Sequence, residues 1–277
     1  MTEVTNTKLP REEDIFDYQI GLDEARLPVE QKHFFDTAGY LLLEDLLNPD
    51  QVRAARDALA RAPDNASGPF GAELLNLIER GGVLEDAMAL PAVLACIKQF
   101  VWGRQHRLIG SRAIVRPASG ASRLTQGGQA DPRRYAQYRC VGDGQFRCLM
   151  MTCLIALQDT SENDGAFCVV PGSHKAVFPH PYENSDLDAI APLRTIRLRA
   201  GSGVLYTESL SHAFKAPAGE TQLWLAYHYG TSYMVNWPGC ESSAELLIRT
   251  SADPIKSHLL LEPYYHPAGA QKKRTEQ

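Results

Sequence analysis

The sequence lacks several features that would settle its class quickly. Its six cysteines (Cys96, Cys140, Cys148, Cys153, Cys168 and Cys240) include no CxxC pair. That argues against a structural zinc site or a disulfide framework and leaves buried free thiols. No apolar run reaches bilayer length, since the longest, Cys148 to Leu157, is about half of what a crossing needs. There is no basic excess: 28 Lys and Arg stand against 33 Asp and Glu, a formal charge of −5. Such a balance gives no field for nucleic acid or an anionic membrane. The N-terminal stretch carries no apolar targeting core, so a soluble, cytoplasmic protein is expected. No GxGxxG or GxxxxGK[ST] follows a strand, and Gly127 and Gly128 read as a flexible lip rather than a phosphate cradle. Ser173 and Ser211 neighbour histidines but lie in no GxSxG turn, which disfavours a serine hydrolase.

What is present is ordinary globular material: 277 residues, 44% hydrophobic and 22% charged, enough to bury a core. Residues 1–30 are polar, acidic and broken by Pro10 and Pro28, an arm. Residues 31–268 read as one domain with a helical layer over 31–102, and 269–277 as a loose tail. The first helix stops at Gly39, and Tyr40 to Leu43 form a short strand. Asn48, Pro49 and Gln51 open a second helix with Val52, Ala55, Leu59 and Ala62 on one face. Two further helices are expected, Ala72 to Glu79 and Pro91 to Val101.

After Gly103 the pattern changes to strands: Leu108 to Val115, Phe146 to Leu157, Ala166 to Val170, Thr195 to Leu198, Val204 to Thr207 and Leu223 to Tyr229. Helices followed by many strands are not the alternation of a parallel sheet. An all-β core with N-terminal helices, an antiparallel barrel or jelly roll, fits best.

The most informative stretch is DGAFCVVPGSHK, Asp164 to Lys175, preceded by ALQD ending at Asp159. Together with FFDTAGYLLLEDLL and AGSGVLYTESLSHA (Ala200 to Ala213), it resembles the phytanoyl-CoA dioxygenase family, over about Gln31 to Pro238. The resemblance implies a double-stranded β-helix, cupin-like, that oxidises a small molecule with iron(II) and 2-oxoglutarate. Such chemistry needs two imidazoles and a carboxylate on one face of the metal. The resemblance puts the distal histidine on His212. The proximal His-x-Asp pair would fall in ASRLTQGGQADPRRY, where Thr125 and Gly127 stand in the two ligand positions. The arginine that anchors 2-oxoglutarate would fall near Gln222 or Leu223. Neither can form a bidentate pair with a carboxylate, so Arg112, Arg116, Arg123 and Arg147 are the substitutes to consider.

The candidate residues follow. His212 is the catalytic candidate; Arg112, Arg147 and Gln222 are candidates for the cosubstrate; His212, Glu208 and Asp131 are candidates for a rebuilt metal site. Thr125, Gln126, Tyr206, Tyr227 and His228 are pocket candidates, and the register of the strand Leu223 to Tyr229 decides whether Tyr227 or His228 faces inward. His174, in the turn after Pro171 and Gly172, is read as structural. Three functions remain open: an iron and 2-oxoglutarate oxygenase with an altered metal site, a metal-independent enzyme using His212 as acid or base, and an inactive partner or ligand-binding subunit. Each implies a small-molecule ligand, and the last also implies a protein partner.

Overall fold

The computed structural model describes residues 27–60, 66–68, 71–101, 106–117, 121–126, 138–142, 145–161, 165–176, 178, 180–182 and 185–263. Nearly all of the arm, the tail, and the loop holding Gly127 and Asp131 lie outside them. In chain order the elements are α1 (Val29–Ala38), β1 (Tyr40–Leu43), α2 (Pro49–Ala60), β2 (Ala66–Gly68), β3 (Gly71–Leu75), α3 (Gly82–Asp86), α4 (Pro91–Phe100), β4 (His106–Arg116), β5 (Thr125–Gln126), β6 (Tyr138–Gly142), β7 (Gln145–Cys148), β8 (Met150–Ala156), β9 (Phe167–Val169), β10 (Arg194–Ile196), β11 (Gly203–Thr207), β12 (Ser211–Phe214), β13 (Gln222–Thr231), α5 (Ala244–Thr250) and α6 (Pro254–Leu259).

Local chemistry accounts for the first elements. Helix α1 stops at Gly39, whose φ of 88° is left-handed and whose N–H donates to the Phe35 carbonyl at 2.7 Å. A Cβ at this position would also lie 2.6 Å from His174 Nδ1, so only glycine fits. His174 there accounts for its own place in the fold: Nε2 lies 3.1 Å from the Asp36 carbonyl and the ring meets Tyr138 edge-on. Helix α2 opens with a reciprocal capping box, the Gln51 N–H donating to Asn48 Oδ1 and the Asn48 N–H to Gln51 Oε1, both at 2.9 Å. Asn48→Ala is therefore expected to cost about 1 kcal/mol, read as a lowered denaturation midpoint with unchanged slope.

The helix expected over Ala72 to Glu79 is not formed. Gly71–Leu75 is a strand instead, pairing Ala72 with Val115 and Leu75 with Arg112, and a 3-10 turn follows over Leu77–Arg80. Asn76, at φ 55°, breaks the run and donates its N–H to the Ser111 carbonyl at 2.7 Å. The open edge of β4 supplies backbone partners that outweigh the local helical preference of this run. The expected strand Phe146 to Leu157 is also divided, with β7 in a two-stranded ribbon with β6 and β8 in the main sheet. Helices α5 and α6, which the sequence reading did not name, dock through buried Glu85, which accepts from Arg249 at 2.6 Å and Lys256 at 2.8 Å.

The main sheet has the order β1-β11-β8-β13-β4-β3-β2 and faces a second sheet, β10-β9-β12-β5; every pairing within both is antiparallel. Between them lies a core of Ile114, Leu154, Phe167, Val169, Phe214 and Trp224, while the outer face of the main sheet packs on the helices through Leu225, Tyr227 and Tyr229. The architecture is a double-stranded β-helix, a jelly roll with its helices on one side. Among the described residues no helix is long and apolar enough to cross a membrane.

Candidate active site

Period-two alternation decides what each strand presents to the interior. On β13 the even positions Gln222, Trp224, Ala226 and His228 face the second sheet, and their register partners on β4 are Arg116, Ile114, Arg112 and Gly110. The odd positions face the helices. Tyr227 is therefore not a pocket residue: its hydroxyl donates to the Leu84 carbonyl at 2.7 Å, as Tyr229 does to Met88 at 2.8 Å. Pairing of β13 with β8 through His228 and Thr152 sets this parity.

Around the inward end of β13 the fold gathers a polar cluster. His212, on β12, is 2% exposed and sits between the rings of Tyr206, at 4.8 Å, and Phe167, at 5.5 Å. Its Nδ1 lies 2.7 Å from the Leu210 carbonyl, which fixes the proton on that nitrogen in the neutral ring. Glu208, in the turn between β11 and β12, accepts from the Thr152 hydroxyl, and its Oε1 lies 3.7 Å from His228 Nδ1. Thr152 Oγ1 is also 2.7 Å from that same Nδ1. The His228 ring stacks on Trp237 at 4.2 Å, and the Arg112 guanidinium lies over the same indole at 4.6 Å while donating to Glu73 at 3.0 Å.

The charges of this cluster follow from burial and its partners. Burial, opposed by Glu208 and the Leu210 carbonyl, lowers the His212 pKa. Burial, reinforced by Arg112 and opposed by Glu208, brings His228 down to about 4. For Glu208 burial works against the carboxylate, but the His228 hydrogen bond, the neighbouring imidazoles and the Thr152 hydroxyl outweigh it and hold the pKa at about 2. Burial, with Glu208 beside it, keeps the Tyr206 phenol far above its ordinary range. At neutral pH two neutral imidazoles thus adjoin an ionised carboxylate.

The remaining sequence candidates are scattered. Thr125 is the register partner of His212 and donates its hydroxyl to the His212 carbonyl at 3.2 Å. Gln126 donates to the Ser173 carbonyl at 2.9 Å. Gln222 is buried opposite Arg116, and Arg123 is exposed. Position 147 lies on the separate ribbon, with its side chain outside the described part, as is Asp131. Arg112 is not a free anchor, because Glu73 holds it. Sequence reasoning gave no site role to Glu73, Thr152 or Trp237; only alternation along residues 108–116, which aligns Gly110, Arg112, Ile114 and Arg116, carried a signal for this face.

A family model described as phytanoyl-CoA dioxygenase (PhyH) matches residues 35–216, more than half of the chain. The chain belongs to this family. Among solved structures it is similar to HygX from Streptomyces hygroscopicus with nickel and 2-oxoglutarate bound, at 27% identity and a TM-score of 0.67, covering 79% of this chain and 94% of that one. It shares the fold of SnoK, a non-heme alpha ketoglutarate dependent carbocyclase from nogalamycin biosynthesis, at 18% identity and a TM-score of 0.56, covering 77% and 87%. The epimerase SnoN, likewise from nogalamycin biosynthesis, is similar at 16% identity and a TM-score of 0.56, covering 82% and 89%. No curated protein sequence matches.

The described residues by themselves do not make an iron site of the kind the phytanoyl-CoA dioxygenase family implies. Among the described residues no group of three His, Cys, Asp or Glu could hold a metal ion. Across from His212 stands Thr125, and the Glu208 carboxylate is engaged by Thr152 and adjoined by His228. With His228 Nδ1 and Glu208 both engaged by Thr152, His212 alone does not make the facial set that iron(II) requires.

Proposed function

We propose that this phytanoyl-CoA dioxygenase relative binds a small molecule within the barrel and exchanges a proton with it, instead of oxidising it at a three-ligand iron centre. The reading rests on one observation, the buried chain from His228 through Thr152 to Glu208 beside His212, with Thr125 in the facing register position. With its Nδ1 proton held by the Leu210 carbonyl, His212 carries a lone pair on Nε2. A proton taken there from an acidic C–H or O–H makes an imidazolium, which the Glu208 carboxylate stabilises until the proton returns. The surrounding rings Phe167 and Tyr206 exclude water and strengthen that attraction.

A second reading keeps the oxygenase chemistry, with the ligand set completed by residues such as Asp131. It is favoured by the 27% identity to HygX, whose structures hold iron, or nickel with 2-oxoglutarate. Anaerobic titration of the purified protein with iron(II), then 2-oxoglutarate, separates the two. The first reading expects no saturable charge-transfer absorption and no succinate release above a heat-killed control. A stoichiometric band would overturn it in favour of the second.

A further inference from the structure

We propose that His228 Nε2 and Arg112 Nε, carried by side chains packed on the Trp237 indole, form a subsite for an uncharged ligand group with a hydroxyl donor beside an oxygen acceptor, as in a polyol or sugar ring. The inference deepens the ligand-binding reading above and rests on it for the location of the pocket.

The tautomer of His228 follows from hydrogen counting. The Thr152 hydroxyl has a single hydrogen, which it donates to Glu208, so toward His228 Nδ1 at 2.7 Å it can only accept. His228 therefore carries its proton on Nδ1, and Nε2 presents a lone pair. That atom is buried and has no hydrogen-bond partner, on a residue only 1% exposed. Arg112 Nε is likewise buried without a partner, although the same guanidinium donates to Glu73 through Nη1. A buried acceptor and a buried donor left unpaired cost about 1–3 kcal/mol each, and a hydroxyl with a neighbouring oxygen satisfies both.

Charge selects against the alternatives. The Arg112 guanidinium is already matched by Glu73, and Glu208 is ionised close by, so a carboxylate ligand meets an excess of negative charge. An ammonium would in turn face Arg112. Trp237 comes from the segment after β13 and is half-buried, its backbone N–H donating to the Ile109 carbonyl at 2.8 Å. Its ring orders the two side chains packed on it, the His228 imidazole and the Arg112 guanidinium.

The test uses full-length protein labelled with nitrogen-15 histidine, observed by two-bond nitrogen–proton correlation at neutral pH and titrated with myo-inositol, glucose and, as the anionic control, succinate. The free protein is expected to show His228 protonated on Nδ1 alone. Both polyols are expected to shift its Nε2 resonance saturably, and succinate to leave it unmoved. Trp237→Ala and the near-isosteric Thr152→Val are each expected to weaken polyol binding roughly tenfold, and Thr152→Val also to scramble the tautomer, which a merely structural role would not do. An Nε2-protonated ring, silent polyols or a succinate response would overturn the subsite. Stoichiometric iron binding alongside an intact polyol response would overturn the proton-exchange reading and leave the subsite standing.

Discussion

Lowering the pH from neutrality to about 4 is expected to unfold this protein in one steep transition that begins near the ordinary histidine pKa. His106, His174, His228 and His258 are each 3% exposed or less, and burial is the largest cause that lowers all four, His106 to about 3 and the others to about 4. The unfolded chain takes up these protons as the pH falls below about 6.5, whereas the folded chain refuses them until about 4. Stability from these groups is therefore complete above 6.5 and lost as the pH falls toward the folded values. Each such group removes about 3 kcal/mol, so four together rival the whole stability of a typical domain. Glu208 acts in the same direction lower on the scale, its contribution present above the ordinary carboxylate value of 4.5 and lost as the pH falls toward about 2. Near-ultraviolet circular dichroism against pH checks this, and an unchanged urea midpoint at about pH 5 would show that the imidazoles are hydrated.

Combining Thr125→His with Gly127→Asp is expected to raise iron(II) affinity by about a thousandfold or more, because two ligands are added to one. Thr125 and His212 are direct partners across an antiparallel pair, so side chains at the two positions share a face with their Cα atoms about 5 Å apart. Position 127 lies beyond the described residues; in an extended chain it would return to the face of position 125. Isothermal titration under nitrogen measures the gain, with Thr125→His alone expected to fall between the parent and the double variant. A folded double variant with no more affinity than the parent would show that the loop does not bring position 127 to His212.

Much of the barrel was legible from local pattern. The stop at Gly39, the box at Asn48 and Gln51, and the run Gly203–Thr207 depend on neighbouring residues, which the sequence displays directly. The helix expected over Ala72 to Glu79 did not form because its residues favour helix locally while the backbone of β4, distant in sequence, decides its state. The site was harder still. Glu73, Thr152 and Trp237 carry no motif, and each acquires its role from partners on other elements: Arg112, Glu208 and His228.

By itself the sequence determined that this is a phytanoyl-CoA dioxygenase relative, as the family match over residues 35–216 shows, because motif spacing and residue identity need no coordinates. It also raised the expectation that His212 stands in the family's histidine position and Thr125, Gly127 and Gln222 in positions the family fills otherwise. Only the tertiary structure decided that His228 turns inward while Tyr227 turns toward the helices. Alternation says that neighbours on a strand point opposite ways, but which parity meets the core is set by the partner strands, here by His228 lying across from Thr152 and Gly110.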